Sequence, residues 1–400
     1  MTKIILKKGR EESLKRFHPW VFSGAIAQIV GEPAEGDIVG VYASNGAFMA
    51  SGHYQIGSIA VRVLSFDSPV LTPDFWEVMI SRALAVRVAC GLADPEGKTN
   101  CYRLVHGEGD NLPGLIIDYY DGVCIMQAHS AGMFRSKKHI ADALVKVYGD
   151  SLKAVYDKSS GTAPFKAGLD LVDGYIWKKD GFRDDEQTVL ENGNRFLVNW
   201  TEGQKTGFFL DQRENRALVG KYAKGRNVLN LFCYTGGFSI YALANGALSV
   251  ESVDSSAKAM MMVDRNVKLN FDEETAARHT SLCCDAIDYV KAAPEGKWDL
   301  MIVDPPAFAK HRGVLKNALR AYQRLNAAAI SKVAPGGFVF TFSCSQVVDK
   351  EAFALAVFSA AAQAGRSVRI LDRLNQPADH SVNIYHPEGE YLKGLLLYVE

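Results

Sequence analysis

The chain has 400 residues, of which 48% are hydrophobic and 22% charged, a composition typical of a globular protein with room for two or three domains. Its 45 basic and 45 acidic side chains cancel, so the net charge does not indicate a polyanionic partner. No segment reaches the roughly 18 apolar residues of a membrane span and the N-terminus lacks the apolar core of a signal peptide, so we expect a cytoplasmic protein without a membrane partner. The 7 cysteines show no C-x-x-C spacing, which disfavours a disulfide framework and a structural zinc site, and we expect no metal.

Residues 1–70 indicate a small β module. The segment "GDIVGVYASNGAFMASGHY" alternates around an Asn45-Gly46 turn, a strong hairpin signal, and "SIAVRVLSF" adds a strand. The stretch from Met1 to Trp20 carries six basic and two acidic side chains, a pattern that alone is typical of a solvated face. Residues 71–185 mix helical and strand patterns, and we interpret them as a central α+β domain.

A second hairpin is predicted next. The segment "TVLENGNRFLVNW" has Asn192-Gly193 at its turn, and we assign residues 186–205 to a hairpin linker. Asp211 and Glu214 then have the spacing of a capping box that opens a helix. Residues 206–400 alternate short apolar runs with helices, which predicts an α/β domain with a doubly wound, mostly parallel sheet. Ligands bind beyond the carboxyl ends of the strands in such sheets, so the residues after each strand are the candidates.

The residues after the first three strands of this domain indicate a nucleoside cofactor. Tyr234-Thr235-Gly236-Gly237 forms a tight strand-to-helix turn, where a ligand can approach the backbone closely. The turn lacks the G-x-G-x-x-G spacing of dinucleotide sites, which disfavours a nicotinamide-dependent dehydrogenase. Asp254, eighteen positions beyond Gly236, suits ribose hydroxyls. Asp285 either binds an adenine amino group or caps the next helix.

The fourth and fifth strands end in a rigid clamp and a thiol. In "VDPPAFAK", the prolines of Asp304-Pro305-Pro306 hold an extended shape that exposes backbone carbonyls, and Phe308 can cover the face of a flat heterocycle. The strand "FVFTF" ends beside Cys344. A cysteine at the end of an apolar strand is more often a buried hydrophobe, but the ligand-binding edge next to Asp304 favours a catalytic Cys344.

Methyl transfer to carbon 5 of a pyrimidine would use both features. That carbon is a poor nucleophile until a thiolate adds to carbon 6, so Cys344 is the candidate covalent catalyst. A free thiol has a pKa near ~8.5, so the site must lower this pKa or deprotonate the thiol on attack. Asp304 can stabilise the charge that the addition places on ring nitrogen 3. The sequence identifies no base that removes the proton from carbon 5.

Seven motifs occur in order along nearly the whole chain. They are "HPWVFSGAI", "RLVHGEGDNLPGLIIDYY", "GQKTGFFLDQREN", "NLFCYTGGFS", "DPPAFAK", "TFSCS" and "YHPEGEYLKG". The set closely resembles the large-subunit ribosomal RNA methyltransferase I family, bacterial enzymes that make 5-methylcytosine in 23S rRNA. The resemblance implies a PUA-like RNA-binding domain over 1–70, the central α+β domain over 71–185, the hairpin over 186–205 and a class I, Rossmann-like S-adenosylmethionine methyltransferase domain over 206–400.

The resemblance also implies roles for individual residues. S-adenosylmethionine is the implied cofactor, and its binding positions fall on Asp211, Gln212, Arg213, Tyr234, Thr235, Gly236, Gly237, Asp254, Asp285 and Asp304. Asp304 also meets the target base, and Cys344 is the implied nucleophile. Together with the clamp residues Pro305, Pro306 and Phe308, the substrate-binding candidates are then Lys310, Arg312, Lys7, Lys8 and Arg10. His18 and Trp20 either join this RNA-binding face or pack inside the module. The implied partners are 23S rRNA, naked or in an assembly intermediate, and a second copy of the chain in a homodimer.

Two other functions stay open at this point. The Asp-Pro-Pro-x-Phe pattern also resembles the clamp of RNA methyltransferases that modify exocyclic amines of adenine or guanine, where no thiol is needed. A protein that binds RNA or assists ribosome assembly without turnover could keep the same fold. The chain departs from the family pattern at Ala307, where several relatives carry a lysine. It also lacks the second cysteine that many other RNA cytosine-5 methyltransferases have after the Asp-x-Pro motif, so a two-cysteine release is not assumed.

Overall fold

The computed structural model describes residues 2–164, 167–183, 185–309 and 311–400. The chain forms two compact units. Unit 1 comprises Met1–Val189, Val198–Leu210 and Ala378–Gly389, and unit 2 comprises Leu190–Leu197, Asp211–Pro377 and Glu390–Glu400. The four predicted domain ranges stay a prediction. Within the described residues, no helix combines the length and the apolar character needed to cross a bilayer.

The first part of unit 1 is a β module. Its elements are β1 (Lys3–Leu6), α1 (Glu12–Lys15), β2 (Trp20–Phe22), β3 (Ile26–Val30), β4 (Ile38–Tyr42), β5 (Phe48–Tyr54) and β6 (Ile59–Ser65). The strands form one sheet in the order β2-β6-β5-β4-β1-β3. The predicted turn between β4 and β5 is confirmed, because Gly46 has φ +84° and its N–H donates to Ala43 O at 2.9 Å. Ile4, Val39 and Val61 belong to the module's own core.

The second part of unit 1 packs helices on another sheet. Its elements are α2 (Phe75–Ala89), β7 (Cys101–His106), β8 (Leu115–Tyr120), β9 (Val123–Ala128), α3 (Ala131–Arg135), α4 (Lys137–Tyr148), β10 (Ala154–Asp157) and β11 (Gly174–Lys178). The strand order is β11-β10-β9-β8-β7, and every residue of the central strand β9 is buried. The segment Ala378–Gly389 joins this part, since Asp379 Oδ2 accepts the N–H of Arg103 at 3.0 Å and Asp379 O accepts from the Arg87 guanidinium at 2.7 Å.

The predicted second hairpin is present. It consists of β12 (Glu186–Glu191) and β13 (Asn194–Asn199), which pair as a two-stranded sheet. Asn192 and Gly193 at its turn have φ values of 49° and 83°. Two successive residues with positive φ define the turn type that matches the right-handed twist of the strands. The Asn-Gly signal therefore identified the turn correctly.

Unit 2 contains the doubly wound sheet. Its elements are α5 (Arg213–Ala223), β14 (Asn227–Leu231), α6 (Gly237–Ala244), β15 (Ser249–Asp254), α7 (Ala257–Asn270), α8 (Glu273–Ala276), β16 (His279–Cys283), α9 (Ala286–Ala292), β17 (Trp298–Val303), α10 (Leu315–Lys332), β18 (Val333–Ser343), α11 (Lys350–Ala364), β19 (Val368–Asn375) and β20 (Lys393–Val399). The strand order is β16-β15-β14-β17-β18-β20-β19. The strands from β16 to β18 run parallel, and β20 runs antiparallel to both of its neighbours. The predicted α/β fold is confirmed.

The order of the strands locates the ligand-binding crevice. The chain enters the sheet at β14, continues outward to β15 and β16, and then returns to the other side of β14 with β17 and β18. This reversal between β14 and β17 is the switch point at which open α/β sheets bind ligands. Leu231, Val303 and Val339 of these strands are fully buried in the core of unit 2.

One local prediction is wrong. Asp211 and Glu214 do not form the predicted capping box, because α5 begins at Arg213 with Gln212 as its N-cap residue, and the Gln212 side chain makes no capping hydrogen bond within the described residues. The Asp211 carboxylate instead accepts a hydrogen bond of 2.7 Å from the hydroxyl of Tyr391, which is 180 positions later in the chain. Glu214 accepts a hydrogen bond of 3.0 Å from Nε of Arg213. Asp211 thus bonds to a distant segment, and Glu214 bonds to its neighbour in the chain.

Candidate active site at the carboxyl edge of the sheet

The predicted site residues of unit 2 follow strands that end at one edge of the sheet. Leu231 of β14 pairs with Val253 of β15 and with Val303 of β17. Val303 pairs in turn with Thr341 of β18. Since these strands are parallel, the segments after them emerge on the same side. Those segments carry Tyr234, Asp254, Asp304 and Cys344.

The loop between β14 and α6 has an unusual backbone. Phe232 and Tyr234 have φ values of 59° and 50°, in the left-handed region that side chains other than glycine rarely adopt. Gly236 follows with φ +82°, and a Cβ built on it would lie 3.0 Å from Cγ1 of Val263. The conformation and the space therefore both require glycine at position 236. Strain of this kind concentrates at functional sites, which agrees with the prediction that a ligand approaches this turn.

Asp254 is fixed by backbone amides at the end of β15. Its Oδ2 accepts the N–H of Tyr234 at 3.0 Å, and its Oδ1 accepts the N–H of Ser256 at 2.9 Å. Each carboxylate oxygen can accept a further hydrogen bond, so the group is oriented and still able to bind hydroxyls. The structure thus brings the predicted ribose-binding carboxylate to the predicted Gly-Gly turn.

Asp285 adopts one of its two predicted roles. Its Oδ1 accepts the N–H groups of Ile287 and Asp288 at 2.8 and 2.9 Å, so the side chain caps the N-terminus of α9. Asp285 is exposed at the same edge of the sheet, directly after β16. Capping holds the carboxylate in place, as the backbone does for Asp254.

Gln212 contacts the clamp. Its Nε2 donates to Oδ2 of Asp304 at 3.1 Å, and its Oε1 accepts from Nδ2 of Asn215 at 2.6 Å. Asn215 also contacts the carbonyl oxygen of Asn375 at 3.3 Å. Because Asn215 donates to Oε1 of Gln212, the NH₂ group of the Gln212 side chain points towards Asp304. Gln212 therefore holds one oxygen of that carboxylate.

The neighbours of Gln212 are placed differently. Asp211, only 5% exposed, bonds to Tyr391, while the Arg213 side chain is 1% exposed and bonds to Glu214. Gln212 contacts Asp304 directly, and all three of these predicted cofactor residues are buried.

The clamp segment is tied to the thiol segment through Tyr322 of α10. The Phe308 ring packs on the Tyr322 ring with centroids 4.8 Å apart, and the N–H of Ala309 donates to Oγ of Ser345 at 3.3 Å. The Tyr322 hydroxyl lies 3.1 Å from Oγ of Ser345 and accepts from Oγ of Ser343 at 2.9 Å. Both neighbours of the thiol-bearing Cys344 are thereby held by the same tyrosine. The clamp and the thiol form one connected structure.

Cys344 itself is half-buried, with a buried lysine beside it. Nζ of Lys393 donates to the carbonyl oxygens of Ser345 and Val348 at 2.6 and 2.5 Å. Burial lowers the pKa of Lys393 to about 8, while Cys344, Asp349 and Glu390 act in the opposite direction. A cation next to a thiol favours the thiolate, so this arrangement suits a nucleophilic cysteine.

Sequence reasoning missed Asn215, Tyr322 and Lys393. Lys393 pairs with Ser343 because β20 is inserted antiparallel beside β18. It lies 49 positions after Cys344, and no local spacing connects the two residues. The only signal was that Lys393 stands within the motif "YHPEGEYLKG".

The predicted substrate cations fall into two groups. Arg312 is exposed at the start of a short 3-10 helix, Arg312–Val314, after the clamp, and Lys310 lies outside the described residues. Lys7, Lys8 and Arg10 are exposed in unit 1, after β1. Nζ of Lys7 donates to the carbonyl oxygen of Gly24 at 2.9 Å, which orients its ammonium group.

The donors and acceptors at this edge fit an S-adenosyl nucleoside. The two glycines of the turn, Gly236 and Gly237, carry no side chains. The oriented carboxylate of Asp254 suits ribose hydroxyls, and that of Asp285 suits an amino group. The carboxylate of Asp304 lies on the neighbouring strand. These are the groups that would hold the cofactor.

Known proteins agree with this interpretation. Residues 177–396 match the model of a family of S-adenosylmethionine-dependent methyltransferases, and residues 4–66 match that of a PUA-like domain. Relatives named ribosomal RNA large subunit methyltransferase I include proteins from Pseudoalteromonas translucida and Shewanella amazonensis. Both are 38% identical, over 98% of this chain and 98% of each relative.

A solved structure has the same fold over the whole chain. It is the crystal structure of "SMU.776, a putative methyltransferase complexed with SAH", with 23% identity, a TM-score of 0.84 and coverage of 100% of both chains. The expected cofactor and fold class are confirmed. The chain belongs to the ribosomal RNA large subunit methyltransferase I family of S-adenosylmethionine-dependent methyltransferases, with a PUA-like domain at its N-terminus.

Proposed function

We propose that this protein methylates carbon 5 of a cytosine in 23S rRNA through a covalent adduct with Cys344. The observation that carries the proposal is the placement of Cys344 after β18, beside the strand that ends in Asp304-Pro305-Pro306. A methyltransferase that modifies an exocyclic amine needs the clamp but has no use for a supported thiol. Tyr322 and Lys393, which hold the residues on both sides of Cys344, favour the covalent mechanism.

The proposed reaction begins at the thiolate. Cys344 adds to carbon 6 of the ring, and the displaced π electrons make carbon 5 nucleophilic while charge builds on nitrogen 3. Asp304, oriented by Gln212, stabilises that charge by sharing a proton with nitrogen 3. S-adenosylmethionine, when bound, supplies an electrophilic methyl group. Loss of the carbon 5 proton and departure of the sulfur from carbon 6 restore the aromatic ring.

We propose cofactor contacts at the positions that the family resemblance implies. The turn Tyr234-Thr235-Gly236-Gly237 faces the cofactor with its backbone, Asp254 binds the ribose and Asp285 binds the adenine amino group. Asp304 and Gln212 border the reacting end, while Asp211 and Arg213 support this wall from buried positions. Pro305, Pro306 and Phe308 hold the target base, and Arg312 and Lys310 meet its phosphates.

We propose that an exposed face of unit 1 binds RNA. Lys7, Lys8 and Arg10 supply positive charge. The rings of Phe17, Phe22 and Tyr385 in the same unit are 48%, 48% and 49% exposed, and Phe17 and Tyr385 pack together at 5.3 Å. Cations combined with exposed aromatic rings are typical of surfaces that bind unpaired bases and their phosphates. The relatives' name supplies the type of RNA.

The decisive experiment maps modified cytosines in 23S rRNA from strains with and without the gene. We expect one 5-methylcytosine to disappear on deletion and to return with the wild-type protein but not with Cys344→Ala. Cys90→Ala is the matched control, because Cys90 is an exposed cysteine of unit 1. Full activity of Cys344→Ala, or loss of a methylated exocyclic amine instead, would contradict the mechanism. Unchanged methylation on deletion would leave only an RNA-binding role.

Two further measurements test parts of the proposal. Wild-type protein should form a covalent complex with RNA that contains 5-fluorocytosine, since fluorine at carbon 5 blocks release, and Cys344→Ala should not. Light scattering of the purified chain tests the homodimer that the resemblance implies.

A further inference from the structure

Two histidines that the methyltransferase reaction does not use come together in unit 1. His18 belongs to the motif "HPWVFSGAI", and His386 and Glu388 belong to the motif "YHPEGEYLKG". Each of the three residues offers one ligand atom, and these atoms all lie within 4.8 Å of one another. All three residues are part of unit 1, the last two through its segment Ala378–Gly389. The cluster joins ends of the chain that are 368 positions apart.

His386 is the most informative member. Its ring is 3% exposed, and neither of its nitrogens has a hydrogen-bond partner among the described residues. The Trp20 ring packs on it with centroids 4.3 Å apart, which explains the position of the ring but satisfies neither nitrogen. Nε2 lies 3.8 Å from Oε2 of Glu388, beyond hydrogen-bond distance. Buried polar atoms normally have partners, so an imidazole of this kind is unusual without a ligand.

His18 has the second contact that a metal-binding histidine needs. The backbone N–H of Trp20 donates to its Nδ1 at 3.2 Å, and the carbonyl oxygen of Trp20 lies 3.4 Å from the same nitrogen. Metal binding through Nε2 requires the proton on Nδ1, so the ring then exchanges the Trp20 N–H contact for a hydrogen bond from Nδ1 to the Trp20 carbonyl oxygen and leaves a lone pair on Nε2. A hydrogen bond from the second ring nitrogen to a backbone carbonyl is the usual way in which proteins orient such ligands.

Both ligand-bearing segments are anchored on Glu108. The indole Nε1 of Trp20 donates to Oε1 of Glu108 at 2.8 Å, which fixes the segment that carries His18. Nδ2 of Asn383 lies 3.2 Å from the carbonyl oxygen of the same Glu108 and 3.0 Å from Oδ1 of Asn111, which fixes the segment that carries His386. The two histidines are therefore held in position by protein contacts alone. Such preorganisation favours binding of an ion between them.

We propose that His18, His386 and Glu388 form a binding site for one Zn²⁺ ion in unit 1. Two imidazoles and one carboxylate are a donor set that zinc accepts, with water as the fourth ligand. Tetrahedral zinc with zinc–ligand distances of about 2.0–2.2 Å places its ligand atoms about 3.3 Å from one another. The three ligand atoms lie within 4.8 Å of one another in the structure, so they must move closer to bind the ion. The Glu388 side chain is 55% exposed and can move to close the gap. The ion would pin the segment Ala378–Gly389 to the N-terminal β module.

The cysteine spacing predicted no metal, but none of these three ligands is a cysteine. A structural zinc site is recognised in sequence by short spacings between its ligands. Here His18 lies near the N-terminus, whereas His386 and Glu388 lie near the C-terminus. Only the return of residues 378–389 to unit 1 brings His386 to His18. The proposal is independent of the methylation chemistry.

Zinc binding to the full-length protein tests the proposal. The chain, without a histidine tag, is stripped with a chelator, desalted and titrated with ZnCl₂ against a chromophoric competitor. We expect one Zn²⁺ per chain, and at least about tenfold weaker binding in each of His18→Ala, His386→Ala and Glu388→Gln. His139→Ala is the matched control, since His139 is an exposed histidine of the same unit, and it should bind like wild type. MgCl₂ should not compete, because magnesium prefers oxygen ligands.

The melting temperature with and without Zn²⁺ is a second measurement, needed in case the histidine variants fold poorly. Glu388→Gln changes one largely exposed side chain and keeps the fold, and its melting temperature should rise less than that of wild type at the same concentration of Zn²⁺. Wild type and His139→Ala should both be stabilised by Zn²⁺. Equal zinc affinity and equal stabilisation in wild type and Glu388→Gln would overturn the proposal, as would a wild type that binds less than one ion per chain.

Discussion

The ammonium group of Lys393 donates a hydrogen bond of 2.6 Å to the carbonyl oxygen of Ser345, the residue that follows Cys344. Lys393 is 6% exposed, and burial lowers its pKa to about 8. A buried cation is therefore present beside the thiol near neutral pH and is lost as the pH rises above 8. The electrostatic stabilisation of a Cys344 thiolate by Lys393 is therefore also lost as the pH rises above 8.

Lys393→Met should raise the apparent pKa of the Cys344 thiol. Without the neighbouring cation the thiolate is less stable, so alkylation of Cys344 by iodoacetamide at pH 7.5 should slow by about tenfold. The rate is read from the mass of the peptide that contains Cys344, over pH 6 to 10. Lys350→Met, which removes a 41% exposed lysine side chain paired with Glu390, is the control. Superimposable pH profiles of wild type and Lys393→Met would rule out this electrostatic role.

Gln212→Leu should lower the rate of methyl transfer more than it weakens cofactor binding. The substitution removes the donor that orients Oδ2 of Asp304, and we expect kcat to fall by about tenfold to a hundredfold. Single-turnover rates with saturating S-adenosylmethionine measure the effect. Gln363→Leu alters an exposed glutamine on α11 and should change nothing. If the cofactor Kd alone changes, Gln212 binds cofactor and does not position Asp304.

Gly236→Ala should weaken S-adenosylmethionine binding. The added Cβ would lie 3.0 Å from Val263 in a backbone with φ +82°, so the turn must shift away from the conformation that meets the ligand. We expect about 1 kcal/mol lower stability and at least about tenfold weaker binding in calorimetry.

Gly246→Ala separates backbone strain from the cofactor effect. Gly246 has φ +84°, but the nearest atom to an added Cβ is Cγ of Lys224 at 3.7 Å. This variant should lose similar stability and keep its affinity for S-adenosylmethionine. Equal affinities of both variants would argue against a cofactor role for the Gly236 turn.

Replacing Lys7, Lys8 and Arg10 by serine should weaken RNA binding and its dependence on salt. Each phosphate contact with single-stranded RNA contributes about 0.7 to the slope of log K against log salt, so three contacts correspond to a decrease of about 2. Fluorescence anisotropy with a 23S rRNA fragment at several salt concentrations measures the slope. A triple serine variant of the exposed residues Lys221, Lys268 and Lys291 controls for net charge. An unchanged slope would show that Lys7, Lys8 and Arg10 do not contact RNA phosphates.

Stability should fall in mild acid because His53 is buried in its neutral form. Burial lowers the pKa of His53 to about 4, whereas an unfolded histidine has a pKa of about 6.5. Between these values the unfolded chain binds a proton that the folded chain does not, so the free energy of unfolding decreases as the pH falls from 6.5 to 4.

His53→Gln should reduce this pH dependence. We expect a slope that is smaller by up to about 1.4 kcal/mol per pH unit in urea unfolding between pH 4.5 and 6.5. His139→Gln, an exposed histidine of the same unit, should keep the wild-type slope. An identical slope in His53→Gln and wild type would show that folding does not lower the pKa of His53.

Local signals in the sequence were sufficient for the turns and for the order of elements. Asn45-Gly46 and Asn192-Gly193 predicted hairpins that the structure contains, because residues tolerant of positive φ determine such turns within a few positions. Alternation of apolar runs with helices predicted the parallel sheet. The position of Asp304 and Cys344 at the ends of neighbouring strands followed from that topology.

Contacts between distant segments could not be predicted. The capping box predicted at Asp211 failed because α5 begins at Arg213, and the Asp211 carboxylate instead accepts a hydrogen bond from Tyr391, 180 positions away. Lys393 reaches Ser345 only because β20 is inserted beside β18, and His386 meets His18 only because residues 378–389 return to unit 1.

The sequence by itself determined what is local: the turns, the strands, the edge of the sheet where chemistry occurs and the types of side chain placed there. Only the tertiary structure decided which side chains orient Asp304, which cation stands beside Cys344 and which residues gather around His386. The physical reason is that backbone preferences act within a few residues, whereas hydrogen bonds and charges act across space between segments that only folding brings together.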